Sequence, residues 1–317
     1  MAFLVRRLLL TLPVLFIVSV LCFSMINLIP GDPATVILGP EASQHAKEEM
    51  RHRLNLNEPI PVQYVDWLGG VLHGDLGESL IDDTPVSKLI LQRLPVTIEL
   101  ALGTFAVSLT ISVVAGILSA SRRGTWIDYL STGVALGGIS IPHFWLGMMF
   151  IIIFAVYLGI LPAGGYVPFF QNPWANITFM ILPVFATGLR ESAELTRMLR
   201  SSLLEELGSD YVRTAFSKGL SKRIVVIRHA VRNALIPFVT ASGLQIAGLL
   251  GGLVVTETVF QLPGLGRLVV DSIENRDFTT VQGAVLTITL VVVLVNVTVD
   301  VLYTLIDPRI SVRSSEG

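Results

Sequence analysis

Long apolar runs recur along this chain and constrain its fold more than any other feature. Residues 8–29 form one such run, long enough as a helix rising about 1.5 Å per residue to cross a hydrocarbon core of about 30 Å. Further runs lie within residues 95–121, 127–158, 237–255 and 281–306, with a shorter one ending at Leu189. In lipid each peptide group must be satisfied within its own segment, so such runs read as helices. With 52% hydrophobic and 15% charged residues and a mean hydropathy of +0.71, the chain is expected to be a polytopic membrane protein, all-α, with six transmembrane helices. A formal charge of −2 gives no footprint for nucleic acid, and the single cysteine, Cys22, lies in an apolar run, so no disulfide or cysteine metal framework is available.

The distribution of cations orients the helices. Arg6 and Arg7 precede the first run, which is too long for a signal-peptide core and is followed at residues 30–33 by Pro-Gly-Asp-Pro rather than a small-residue cleavage site. A retained helix with its N-terminus inside follows. Residues 31–94 are polar and read as an external helical cap. Ser43 is placed to cap a helix reaching Leu54, and a second helix from Pro61 carries an apolar stripe of Tyr64, Trp67, Leu68, Val71 and Leu72. Pro95 is expected to start the second membrane helix, which meets Arg122 and Arg123 on the inside. The third, residues 127–158, is interrupted by Gly137, Gly138 and Pro142, which predicts a kink.

The fourth helix begins near Trp174, and its apolar part ends at Leu189 after only about 20 Å. Arg190 and Glu194 beyond it are spaced for an i, i+4 pair. Two readings of this end stay open: a snorkelling pair near the inner surface, or a helix that continues into the cytoplasm. The fifth helix, residues 237–255, holds Gln245 and the small residues Ala247, Gly248, Gly251 and Gly252, which favour close helix packing against another membrane subunit. The last, residues 281–306, carries Asn296 and Asp300, expected to face the bundle. The domain scheme is then a first helix over 1–30, the cap over 31–94, a five-helix core over 95–306 and a tail over 307–317 with Arg309 and Arg313 inside.

Between the fourth and fifth helices, at about 200–235, lies the longest cationic stretch, with Arg213, Lys218, Lys222, Arg223, Arg228 and Arg232. A loop so charged stays on the cytoplasmic side. Ser209 is placed to cap a short helix over residues 210–217, with Gly219 as its terminator, and a second helix is expected over 222–235. The short helix carries Tyr211 and Ala215, with Leu220 beyond it, beside Arg213 and Lys218, a pattern suited to a groove on a soluble partner.

Residues 211–215 (Tyr-Val-Arg-Thr-Ala), 218–220 (Lys-Gly-Leu) and 228–237 (Arg-His-Ala-Val-Arg-Asn-Ala-Leu-Ile-Pro) resemble the cytoplasmic coupling loop of ABC importer permeases of the dipeptide/oligopeptide (Dpp/Opp) branch. The likeness continues at residues 29–34, 61–64, 74–77 and in the Glu-Thr-Val-Phe and Pro-Gly-Leu-Gly sequences after the fifth helix. The general superfamily motif opens Glu-Ala-Ala; here Arg213 and Thr214 stand in its first two places, while Ala215 and Gly219 are kept. The resemblance implies the type I importer permease fold. It implies ATPase coupling through Asp210, Tyr211, Val212, Arg213, Thr214, Ala215, Lys218, Gly219 and Leu220. The implied partners are a second homologous permease subunit, two cytoplasmic ATPase subunits and an external substrate-binding protein, in a bacterial plasma membrane. No cofactor is bound by this chain, and ATP and Mg belong to the ATPases.

Candidate pore or gate residues are Pro142, His143, Gln245, Gly248 and Glu257. Intramembrane ionisable and polar groups mark transport paths, although His143 has no Cys or acidic partner nearby in sequence. No Walker A sequence, metal-ligand spacing or paired-carboxylate site is evident, and Gly264-Leu265-Gly266 lacks the Lys-Ser/Thr of a phosphate loop. Two other classes were weighed: an ion-coupled secondary transporter, for which no internal repeat is seen, and an intramembrane hydrolase using His143, for which no nucleophile motif exists.

Overall fold

A computed structural model describes residues 2–28 and 31–306. These residues are helical nearly throughout, with no strand among them beyond one isolated bridge between Glu78 and Pro85. The chain divides into two compact units, one built from residues up to Pro95 together with those from Gly264 on, the other from Val96–Pro263.

The first helix, α1 (Ala2–Asn27), leads into a small polar assembly. Asp32 caps α2 (Pro33–Leu38) by accepting from the Thr35 amide at 3.1 Å, and its other oxygen receives Arg51 Nε of α3 (Gln44–Arg53) at 3.0 Å. Ser43 caps α3 as expected, accepting from Ala46 at 3.2 Å. In α4 (Ile60–Leu72), Tyr64 and Trp67 pack edge-on and tilted against Phe23 of α1, at 5.3 and 5.9 Å between ring centroids. The expected stripe breaks off at Leu72, the last residue of the helix, which is 78% exposed.

The second long helix, α5 (Val86–Ser121), starts nine residues before the expected Pro95 (95 − 86). Val86 and Ile90 are buried with Leu265, Leu268 and Ala284, so apolar packing carries the helix through a proline that removes only one backbone donor. The expected kink near Pro142 is a full break. Helix α6 (Trp126–Ser140) and α7 (His143–Phe150), which passes into a π-helical turn at Ile151–Tyr157, meet at 104°.

Helix α8 (Pro173–Leu207) is capped by Asn172, which accepts from Ala175 at 3.1 Å, and runs unbroken past Leu189. Its 35 residues reach about 50 Å, so the charged end continues as helix well beyond the apolar part. After α9 (Asp210–Ser217), the cationic segment does not form a separate hairpin arm. Helix α10 (Lys222–Ile224), a π-helical turn at Val225–Ala230 and α11 (Val231–Val259) make one helical run, with Pro237 inside it rather than at its start. The outer segment after Pro263 is itself helical, α12 (Leu265–Glu274), followed by α13 (Phe278–Ile306). Asp277 starts α13 by accepting from Thr280 Oγ1 and, from the segment after α4, from Ser79 Oγ at 2.7 Å and the Leu80 amide at 3.1 Å. Asn296 is half-buried on α13; the side chain of Asp300 and the tail residues Arg309 and Arg313 lie outside what is described.

Among the described residues, three single helices are long and apolar enough to cross a membrane, or four spans if the broken α6–α7 pair counts as one, and the apolar part of α1 is shorter. Helix α8 does not join them, because Arg190, Glu191 and Glu194 interrupt its apolar face.

Candidate functional site

The cationic segment folds into a short helix held on one side and open on the other. Helix α8 ends at Leu207, residues 208 and 209 make the turn, and α9 follows over the expected residues. Ser209 occupies the cap position without acting as an acceptor; its hydroxyl donates back to the Glu206 carbonyl at 2.6 Å. Gly219 has φ +78, the left-handed conformation that closes a helix C-terminus and that a side chain resists.

Val212 and Ala215 are buried in a cluster with Leu199 and Leu203 of α8 and with Val225, Val226 and Ala230. Ala215 therefore does not belong to the exposed face expected of it. Tyr211, Phe216 and Leu220 are exposed instead, as are Arg213, Thr214 and Lys218. Tyr211 donates to Glu206 and accepts from Asn233 Nδ2 at 3.1 Å, which ties α8, α9 and α11 together. Burial and the Glu206 carboxylate push its phenol pKa up from the ordinary value.

One cluster escaped the sequence reading. Asp128, 3% exposed at the start of α6, accepts from Ser119 Oγ at 2.5 Å and Arg200 Nε at 2.7 Å on one oxygen. Its other oxygen accepts from the Gly124 amide and Arg200 Nη2, both at 3.0 Å. This two-pronged pair fastens the lower part of α8 to the α5–α6 turn. The one signal in sequence was an acid in a first helical turn beside Arg122 and Arg123; nothing relates position 128 to 200 along the chain.

Higher on α8, a cavity of about 420 Å³ opens between α7, α8 and α11. His143, Arg190, Glu191, Glu194, Gln245 and Gly248 are among the residues that line it. Gln245 donates to the Glu191 carbonyl at 2.7 Å and to its carboxylate at 3.0 Å, and accepts from Ser108 Oγ at 3.1 Å. Arg190 pairs with its neighbour Glu191, not with Glu194 as the i, i+4 spacing predicts, because Glu191 is also fixed by Gln245. A Cβ added at Gly248, Gly251 or Gly252 would meet nothing within 4 Å, so these glycines are not packed against this chain, whereas Ala247 is buried within it.

Of the five pore candidates, His143, Gln245 and Gly248 come together here, and the acidic neighbours that His143 lacks in sequence are supplied by α8. The other two do not join them. Pro142 sits exposed at the α6–α7 break, and Glu257 is wholly buried elsewhere on α11, accepting from Thr97 Oγ1 at 2.6 Å. No group of three or more His, Cys, Asp or Glu fit to hold a metal ion occurs among the described residues.

A short cationic helix joined to two long helices that wall a polar cavity is an arrangement with relatives. Residues 112–312 match the family of binding-protein-dependent transport system inner membrane components, and residues 1–101 match the N-terminal part of such components. The chain belongs to this family. This inner-membrane permease is similar to the dipeptide transport system permease protein DppB of Alkalihalophilus pseudofirmus, 43% identical over 330 residues covering 98% of this chain and 99% of that one. It is also similar to the oligopeptide transport system permease protein AppB of Bacillus subtilis, 40% identical over 312 residues covering 98% and 99%. Among solved structures, the MetNI methionine ABC transporter in inward-facing conformations aligns with a TM-score of 0.57 at 16% identity, over 69% of this chain and 96% of that chain. The permease therefore has the fold of ABC importer membrane subunits. Membership also decides between the classes left open by sequence: it is a non-catalytic transport subunit of an ABC importer, neither an ion-coupled carrier nor a hydrolase.

Proposed function

We propose that this permease forms half of the translocation path of a peptide importer and takes its driving force from ATPases docked on α9. The observation that carries the reading is mechanical. Helix α9 is joined by short turns to α8 on one side and to the α10–α11 run on the other, while Arg213, Phe216 and Leu220 stay exposed. A displacement of α9 is thus delivered to both long helices that wall the cavity, as rigid-body alternating access requires. Two cytoplasmic ATPase subunits that bind ATP and Mg dock on that exposed side, a second related permease packs on α11 at Gly251, outside the cavity lining, and an external binding protein delivers the cargo. The chain spans the membrane six times with both termini inside, and residues 31–94 form the external cap. Peptide as the cargo class rests on the names of the dipeptide and oligopeptide permeases that this chain matches along nearly its whole length.

The test is Gly219→Val in the assembled importer. Open space surrounds Gly219, so the substitution acts through the left-handed backbone and not through a clash. A strain of about 1–3 kcal/mol is placed where α9 turns into α10. ATP hydrolysis that persists with dipeptide uptake lowered at least several-fold is the expected result; fully coupled uptake would refute the lever.

A further inference from the structure

The cavity between α7, α8 and α11 contains polar groups of two kinds. Glu191 is saturated, with Arg190 on one carboxylate oxygen and Gln245 on the other; Gln245 is engaged at both ends, and Thr187 is bonded to Thr256 at 3.0 Å. These form a closed, internally neutral frame. Glu194 and His143 stand outside it. Both line the cavity; among the described residues Glu194 has no hydrogen-bond or ion-pair partner, and His143 Nε2 is buried without one. A buried polar nitrogen left without a partner is costly, and a carboxylate within a membrane protein is kept where it serves an ion or a substrate.

We infer that Glu194 and His143 form a cation-selective station that receives the ammonium group of the cargo during its passage. With Arg190 and Glu191 cancelling, the uncompensated charge of the cavity is the single negative one on Glu194. A primary ammonium offers three donors, enough to engage the Glu194 carboxylate and a neutral imidazole nitrogen together. The glycine wall at Gly248 and Gly252, where no side chain fills the space, leaves room for the backbone of a short peptide. Counting along α8 from Trp174, Glu194 lies about 30 Å on, so the station belongs to the inner end of the path, beyond the reach of an external binding protein.

This inference rests on the peptide-import reading and is tested apart from it. The complete complex of both permeases and the ATPases, purified without the external binding protein, is assayed for equilibrium binding of radiolabelled dialanine. Wild-type complex binds dialanine, and N-acetyl-dialanine, which lacks the ammonium, does not compete. Glu194→Gln weakens binding at least tenfold, Glu194→Asp by less, and Gly248→Leu, whose side chain enters the cavity, abolishes it. If Glu194→Gln does not assemble, the Asp and Leu variants carry the test. Binding unchanged in these variants, equal competition by the acetylated peptide, or no wild-type binding up to about 10 mM, the scale of a bare ion-pair contact, would overturn the station. Dipeptide uptake by the wild-type complex with its binding protein present, measured in parallel, tests the transport reading separately; uptake without station binding rejects the station alone.

Discussion

Helices α8 and α11 are packed differently at their two ends. Around Leu199, Leu203 and Phe238 they close onto α9 and the π-helical turn in a cluster of fully buried residues. Around Arg190, Gln245 and Gly248 the same helices enclose a 420 Å³ cavity. The glycines differ as well, by the neighbour that each one faces. Gly116 and Gly188 lie where a Cβ would strike Leu199 or Val107, whereas Gly248 and Gly252 face open space. The close-packed part cannot absorb a displacement of α9 by local yielding, because interiors at crystal-like density transmit strain. The open part has volume in which cargo and partner side chains can move. One pair of helices is thus close-packed at one end and walls a cavity at the other.

The sharpest way to break this contrast is at Asp128. Replacing it with alanine leaves Arg200 and the Gly124 amide without their acceptor, and removing one partner of a buried pair costs about 3–5 kcal/mol. Thermal unfolding of the purified complex should shift strongly downward, and retention of wild-type stability would show that the packed end is not braced there. Truncation of Leu203, wholly buried, to alanine is expected to cost about 2–5 kcal/mol. The same truncation of Leu244, 64% exposed at the cavity, should fall within about 0.5 kcal/mol of wild type.

A smaller effect separates the glycines. Gly188→Ala brings a Cβ within 2.8 Å of Val107 and 3.2 Å of the Thr104 carbonyl, an overpacking worth about 1–3 kcal/mol. Gly248→Ala meets nothing and should be neutral or slightly stabilising in the same melt. The smallest effect is at the rim of the lever. Because the Tyr211 phenol is raised in the folded state, its contribution is complete below the ordinary value of 10.0 and is lost as pH rises through the raised one. Amide exchange in α9 should quicken over that window in wild type and show no such step in Tyr211→Phe.

Local patterns made much of this legible in advance. Ser43 before an amphipathic segment, Asp210 opening a helix and Gly219 closing it are choices whose causes lie within one or two turns, and each element formed where expected. Prolines misled for the opposite reason. Pro95 and Pro237 read as helix starts, yet Val86, Ile90 and Val231 are held by packing with residues far away in sequence, which outweighs one missing donor. Ala215 and Tyr211 lie on one short helix, but only the tertiary cluster shows that the alanine faces inward.

From sequence alone came the membrane character, the all-helical class, the short cationic helix and the family, because hydropathy, charge and short motifs are additive along a chain. The tertiary structure decided which polar residues meet. Asp128 is bonded to Arg200, and His143 shares a cavity with Glu191 and Glu194, through bends and crossings that depend on the packing of the whole unit, and no spacing along a single helix encodes that.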